Sequence, residues 1–204
     1  MPARFSSNPV VRFLPGRNVE LTTPLTFYDP QELAWDVPKG AIVDGASIPR
    51  IFWSIMGGPF DAGYRDASII HDWYCDKRLR TWQATHRVFY DAMIVSGVSP
   101  AKAKTMYFAV WWRGPRWEER VTHNTNLGFD DRLGSGGSDG DFAAADFSEG
   151  EPEVIQESVP SPAEDLDDTA LKQTAEEFEA LVSQSDISLE QIEQLAEENT
   201  PSLR

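Results

Sequence analysis

The interpretation of this chain starts from one short stretch, Ile69-Ile70-His71-Asp72-Trp73-Tyr74. Two aliphatic residues precede an adjacent His and Asp, and two aromatic residues follow them. Burying two ionisable groups in such an apolar segment is costly unless other groups pair with them. Neighbours on a helix point about 100° apart, so His71 and Asp72 face different surroundings. His71 is therefore either a base facing a cleft, with Asp72 holding a cation or a backbone donor, or a satisfied core residue beside an exposed Asp.

The surrounding sequence predicts a helix over residues 61–76, with Asp61 as its N-cap. One stripe of this helix is formed, at spacings of three and four, by Tyr64, Ala67, Ser68, His71 and Cys75. His71 should therefore face inward among small and aromatic side chains, while Asp72 lies on the flank.

Before this helix, turn residues separate five short apolar runs that predict strands. They lie at 10–14, 19–22, 25–28, 32–37 and 41–43. The loop Asp44-Gly45-Ala46-Ser47-Ile48-Pro49 follows, in which Gly45 permits a positive φ and Ser47 can cap the next segment. Residues 51–56 predict a short apolar helix, either plain core or the rim of an apolar substrate site.

Two more helices are predicted after the first, one from Trp82 to Ser96 and one from the cap Ser99 to about Trp112. The predicted fold class is α+β. A small antiparallel N-terminal β-meander precedes a compact core of three to four helices, and a disordered acidic linker then leads to C-terminal amphipathic helices.

The net charge of −15 is unevenly distributed along the 204 residues. Residues 1–123 contain 15 Lys and Arg against 12 Asp and Glu, whereas residues 124–204 contain 3 against 21. We therefore predict a globular domain over 1–123, a flexible Gly/Ser/Asp-rich linker over 124–163 and an acidic amphipathic tail over 164–204. An acidic tail does not favour nucleic acid as a partner.

The tail shows two helix signals. A stripe is formed by Leu171, Ala175, Phe178 and Val182, and Ser188 with Gln191 is a capping box. So narrow a stripe must bury against the globule, a second copy or another protein, so residues 165–197 are predicted to dock. The basic connector at 77–80 is one candidate surface, and a solubilising disordered tail is the alternative.

The single cysteine, Cys75, excludes an intrachain disulfide. The N-terminus has no apolar signal-peptide region, and no apolar stretch is long enough to span a bilayer. These features predict a soluble product of a reducing compartment.

Four segments together resemble the domain-of-unknown-function family 1353, which is common in bacteriophage and prophage genomes. They are the loop at 44–49, Ile70-His71-Asp72-Trp73-Tyr74, the residues Arg87-Val88-Phe89 with Ala92-Met93, and Tyr107-Phe108-Ala109-Val110. The resemblance covers about residues 8–115. It implies synthesis in the host cytoplasm, association with the virion and a phage structural protein as partner.

A second resemblance is mechanistic, since His-Asp-x-x-Tyr on a helix is similar to the catalytic helix of phospholipases A2. Carried over, His71 is the base, and calcium is bound by Asp72 with Asp44 and Gly45 of the upstream loop. The carboxylate that orients the His is replaced by His86, and Asp91 lies five residues further on. Either Asp91 orients His71, or His86 directs the site towards metal ligation with His71, Asp72 and Asp44, or the site has lost its chemistry. The mixed His and carboxylate set would suit zinc better than calcium, although calcium is the first choice for the site as a whole and zinc the second.

Two functions follow from these observations. The first is a metal-assisted, phospholipase-like hydrolase with a lipid substrate, in which His71, Asp91 and His86 are the catalytic candidates. The second is a non-enzymatic virion or interaction protein that binds a partner, or a second copy, through its acidic tail.

Overall fold

The N-terminal strands are antiparallel and helices follow them, which confirms the predicted α+β class. The computed structural model describes residues 1–45, 47, 63–122, 153–161 and 167–198. The chain forms two compact units, one of residues 1–117 with 158–204 and one of residues 118–157. The predicted helix at 51–56 and the predicted N-cap Asp61 lie outside the described residues.

Six strands form the N-terminal part; five of them lie in predicted runs, and the first, at residues 4–5, was not predicted. They are β1 (Arg4–Phe5), β2 (Val11–Phe13), β3 (Val19–Leu21), β4 (Leu25–Tyr28), β5 (Ala34–Val37) and β6 (Ile42–Val43). They form two three-stranded sheets, ordered β1-β4-β5 and β2-β3-β6, instead of one meander. Pro24 separates β3 from β4 and has no N–H to donate, so the ladder breaks there.

Three helices follow the sheets: α1 (Arg65–Lys77), α2 (Trp82–Val95) and α3 (Pro100–Arg113). Two of them begin at hydroxyl caps, since Thr81 accepts the N–H of Ala84 and Ser99 accepts that of Lys102. The predicted stripe of α1 is buried from Tyr64 to Cys75. His71 therefore faces inward, as its spacing predicted.

The sheets pack on α1 through aromatic side chains. The ring centroids of Trp35 and Tyr74 are 4.7 Å apart, and the Tyr74 hydroxyl accepts the backbone N–H of Asp36 at 3.0 Å. Arg80 places its guanidinium 4.2 Å from the Trp35 ring centroid and donates to the Ala34 carbonyl at 2.7 Å. This arginine of the basic connector thus helps to fix the helix to the sheet.

Strands β7 (Arg116–Thr122) and β8 (Glu153–Val159) form a two-stranded sheet. Strand β8 lies within the stretch predicted as a linker from its composition. Most of that stretch, residues 124–152 and 162–163, is outside the described part of the chain, so its flexibility stays a prediction.

The acidic tail forms helices α4 (Asp168–Gln184) and α5 (Leu189–Glu198). The capping box is confirmed, because Ser188 N–H donates to Gln191 Oε1 at 2.9 Å and Gln191 N–H donates to Ser188 Oγ at 3.3 Å. Phe178 is buried and stacks on Phe108 of α3, with ring centroids 4.1 Å apart. The apolar stripe is therefore buried against the globule, although the side chain of Leu171 is outside the described part.

Basic side chains of α2, α3 and the start of β7 bind the acidic tail. Their ion pairs are Arg87 with Glu190 and Glu193, Lys104 with Asp186, and Arg116 with Glu197. These basic residues lie outside the connector at 77–80, which was one surface predicted to bind the tail. No helix among the described ranges combines the length and apolar character needed to cross a bilayer.

Candidate functional site

The Asp72 carboxylate holds the loop after β6. Its Oδ2 accepts the backbone N–H groups of Asp44 at 2.9 Å and Gly45 at 3.1 Å, and its Oδ1 accepts that of Ser47 at 3.2 Å. Gly45 has a φ of +70°, which lets nearby N–H groups converge on one anion. Asp72 is therefore a buried acceptor for backbone donors, one of the two roles predicted for it.

His71 lies between a hydroxyl and a second imidazole. Its Nδ1 is 3.0 Å from Ser47 Oγ, and its Nε2 is 2.8 Å from Nδ1 of His86 on α2. Both histidines are fully buried, and the Phe89 ring packs against His71 in a tilted arrangement with centroids 4.6 Å apart. The structure thus places His86 against His71.

Asp91, the other orienting candidate, lies elsewhere on α2. Burial, together with the nearby Asp29 carboxylate, raises the pKa of Asp91 to about 6, although Arg87 acts to lower it. No contact between Asp91 and His71 is found among the described residues. The spacing argument that only one of positions 86 and 91 can face His71 is therefore satisfied by His86.

Cys75 completes the buried cluster, and the sequence argument did not select it. Its Sγ lies 3.7 Å from Nε2 of His71, one helical turn earlier. One potential ligand atom from each of His71, Cys75 and His86 lies within 4.8 Å of the others. The available signal was the spacing of four between His71 and Cys75 on the inward stripe, which suits two ligands of one metal ion.

One arrangement of protons fits the contacts of Ser47 with Asp72 and His71. When the Ser47 hydroxyl donates to the Asp72 carboxylate, Ser47 Oγ accepts the Nδ1–H of His71. Neutral His71 then has its lone pair on Nε2, which accepts the Nδ1–H of His86. Among the described residues, Nε2 of His86 is buried without a partner at hydrogen-bond geometry, and the Pro115 carbonyl is the acceptor that influences the ring.

Burial dominates the electrostatics of the cluster. It lowers the pKa of His71 to about 3 and raises the pKa of the Cys75 thiol well above its usual value. Burial also lowers the pKa of His86, as do His71 and Arg116, whereas the Pro115 carbonyl opposes them. Without a metal, the two imidazoles and the thiol are therefore neutral at pH 7.

A lowered His71 pKa predicts acid-sensitive stability. Between pH 3 and 6.5 the unfolded chain binds a proton at His71 that the folded chain does not bind. The contribution of His71 to the free energy of unfolding is therefore fully present above pH 6.5 and decreases as the pH is lowered. From pH 6.5 to 5 the His71 contribution should fall by about 2 kcal/mol. Urea unfolding of the wild type and of His71→Gln at both pH values, with chelator present, measures this difference. Parallel pH dependences would contradict it.

The cluster lies behind the wall of a cleft of about 480 Å³. The cleft is lined by Asn18, Ile42, Val43, Asp44, Ser47, Asp72, Cys75, Asp76 and Pro115. Three of these residues, Ser47, Asp72 and Cys75, are 7–9% exposed and directly contact the histidine pair or its network. A molecule in the cleft thus approaches the buried cluster from the side of Ser47 and Cys75.

The three residues predicted to bind calcium are in contact, but through backbone N–H groups that donate to the Asp72 carboxylate. The N–H groups of Asp44 and Gly45 point at Asp72, and N–H groups are not metal ligands. The calcium site stays a prediction, and the carboxylate intended for it is bonded to the loop.

Comparisons with known proteins give a family match. Residues 19–110 match the model of the family described as "Protein of unknown function (DUF1353)", which confirms that part of the resemblance. The phage origin and the phospholipase likeness stay predictions.

Two proteins of Sinorhizobium fredii (strain NBRC 101917 / NGR234) are similar to this chain. "Uncharacterized protein y4jT" is 50% identical over 116 residues, 55% of this chain and 34% of the relative. "Uncharacterized protein y4iH" is 47% identical over 91 residues, 45% of this chain and 38% of the relative. The chain thus spans about a third of the length of these relatives. No solved structure matches it.

Proposed function

We propose that this protein is a metal-assisted hydrolase whose metal ion is bound by His71, Cys75 and His86 behind the cleft. The observation that supports this proposal is the convergence of two imidazoles and a thiol within 4.8 Å beside an open cleft. Three protein ligands with a fourth position left open are typical of catalytic zinc sites.

Two of the three ligand separations can be compared with those around a tetrahedral ion, and the third, between Cys75 and His86, is within 4.8 Å. Zinc bonds of about 2.0–2.1 Å to nitrogen and about 2.3 Å to sulfur separate two nitrogens by about 3.3 Å and a nitrogen from a sulfur by about 3.6 Å. Cys75 Sγ is 3.7 Å from His71 Nε2, close to that value. His71 Nε2 and His86 Nδ1 are 2.8 Å apart and must separate by about 0.5 Å.

The ligand types favour a zinc-like ion over calcium. Thiolate and imidazole prefer zinc and related transition metals, whereas calcium prefers oxygen ligands. The Asp72 oxygens accept N–H groups of Asp44, Gly45 and Ser47. They are therefore poorly placed as a fourth ligand, and that position is left to water or substrate from the cleft.

The surrounding residues have separate roles in this proposal. A bound zinc ion supplies Lewis-acid activation of water or of a carbonyl group. Asp72 and Ser47 orient His71, because Nδ1–H donates to Ser47 Oγ and the hydroxyl donates to the carboxylate. Asp44 and Asp76, which are exposed in the cleft wall, are candidate proton acceptors among the described residues.

The residues that line the cleft bear on the class of substrate. Phospholipid was the predicted substrate, and the apolar residues 51–56 expected to admit acyl chains lie outside the described residues. The described cleft wall contains three aspartates. Because acidic side chains disfavour an anionic substrate, the first assay should include a neutral ester as well as phospholipid.

Cobalt titration tests the metal site without requiring activity. Chelator-treated wild type should bind Co²⁺ with a near-ultraviolet thiolate charge-transfer band, and zinc should abolish that band. Cys75→Ser should lose the band, and His86→Gln should weaken binding. Asp91→Asn is the matched control, since Asp91 is on the same helix as His86, and it should bind like the wild type. A wild type without the band would contradict the proposal.

Hydrolysis tests the chemistry. The wild type with zinc should hydrolyse an ester or release labelled fatty acid from phospholipid, and chelator should stop it. His71→Ala should abolish turnover through loss of a ligand, whereas Asp91→Asn should retain it. Metal binding without metal-dependent turnover of either substrate would favour a structural metal site.

The alternative function is an interaction protein. Its supporting observation is that the apolar stripe is buried against the domain while acidic side chains of α4, among them Glu176, Glu177 and Glu179, are exposed. Such a surface would bind a basic partner, for which a phage structural protein is our candidate, or a second copy.

A further inference from the structure

The acidic tail reaches the back of the proposed metal site. Glu197 of α5 accepts the Trp111 indole N–H at 3.1 Å and pairs with Arg116 at 2.7 Å. Arg116 lies 4.2 Å from the Trp82 ring centroid and donates to the Trp111 carbonyl at 2.7 Å. Trp82 and Trp111 both face His86, with centroids 5.5 and 6.3 Å away. Glu197 thus fixes the residues that surround one proposed ligand.

Metal binding changes what His86 requires from these surroundings. In the arrangement described above, Nδ1–H of His86 donates to His71, and Nε2 has no partner at hydrogen-bond geometry among the described residues. If Nδ1 of His86 held the metal ion, the ring proton would be on Nε2, which would then need an acceptor. The backbone carbonyl of Pro115 faces His86 and can accept that proton. This carbonyl would therefore be the acceptor for Nε2–H of a metal-bound His86.

The position of that carbonyl depends on the next residue. Arg116 follows Pro115 directly, and its side chain is only 9% exposed. Its Nη2 is held between Glu197 and the Trp111 carbonyl. The distance between His71 Nε2 and His86 Nδ1 would also have to grow by about 0.5 Å for a metal ion to bind. Residues that keep the Pro115 carbonyl at the correct distance from His86 therefore favour the metal-bound geometry.

Resting on the proposed metal site, we propose that Glu197 is a positioning residue for it, so that docking of α5 and zinc binding strengthen each other. Glu197 contacts neither metal nor substrate and acts through Arg116 and Trp111. Linkage makes the effect reciprocal, so bound zinc must stabilise α5 on the domain.

The test compares two glutamates of the same helix in the full chain. Glu190 also pairs with an arginine, Arg87, at 3.2 Å, but has no contact with the His86 surroundings among the described residues. Zinc affinity is measured by competition with a chromophoric chelator. Glu197→Ala should weaken it about tenfold, the lower end for outer-shell partners. Glu190→Ala should stay within about twofold, and Glu197→Gln, which keeps an acceptor oxygen, should recover part of the loss.

Amide hydrogen exchange gives the reciprocal measurement. Zinc should slow exchange in α5 of the wild type and of Glu190→Ala, but not of Glu197→Ala. Equal losses of affinity in both alanine variants, or no loss in Glu197→Ala, would overturn the positioning role alone. A wild type that binds no zinc would overturn the proposed function together with this inference.

Discussion

Replacing Phe178 by alanine is expected to lower the free energy of unfolding by about 4 kcal/mol, although this residue belongs to the acidic tail. Phe178 is 5% exposed, and its ring stacks on that of Phe108 at an interplanar angle of 9°. The truncation removes a buried aromatic ring and leaves a cavity beside α3. Urea unfolding monitored by tryptophan fluorescence measures the loss, since Trp112 stacks on Phe108.

Leu181→Ala is the matched control for this prediction. Leu181 lies on the same helix and is 41% exposed. Its replacement should therefore change stability by less than about 1 kcal/mol. Equal effects of the two substitutions would show that α4 is not packed on the domain in solution.

The second large effect is expected from Asp72→Ala, which should lower stability by about 4 kcal/mol. The substitution removes the acceptor of three backbone N–H groups, of which those of Gly45 and Ser47 are in buried residues. Each buried donor left without an acceptor costs about 2 kcal/mol. Chemical denaturation gives the total, and hydrogen exchange should show faster exchange at these amides.

Asp76→Ala is the control for Asp72. Asp76 follows one helical turn later, lines the same cleft and is exposed in an ion pair with Lys77. Its removal should change stability by less than about 0.5 kcal/mol. If Asp72→Ala behaved in the same way, the loop would be held by other contacts, and Asp72 would be free to bind a cation as the sequence first suggested.

Local patterns allowed the helices to be predicted well. The stripe of α1, the Ser99 cap of α3 and the capping box of α5 depend on residues within a few positions of one another, and each is present in the structure. The tail's burial was also predictable, because a narrow apolar stripe cannot remain exposed. Which surface would bury it depended on the positions of Arg87 and Lys104 in three dimensions.

The candidate site was harder to predict because its members come from distant parts of the chain. Position 71 was identified from its apolar neighbours. The resemblances supplied positions 86 and 91 as possible partners, and helix geometry allowed only one of the two to face it. Cys75 was overlooked as a ligand, since a lone cysteine on an inward stripe reads first as core. The division of the strands into two sheets depends on long-range pairing, such as β1 with β4, which the turn residues do not specify.

The packing of the tail also determines when the domain can be completed during synthesis. The face of α3 around Phe108 is covered by helices that end at Glu198, about 85 residues after α3 ends at Arg113. At about 5–20 residues per second, the ribosome needs roughly 4 to 17 s to make that stretch. During this interval the aromatic face of α3 is uncovered on the nascent chain, so a chaperone that binds exposed aromatic surfaces has its opportunity at this stage.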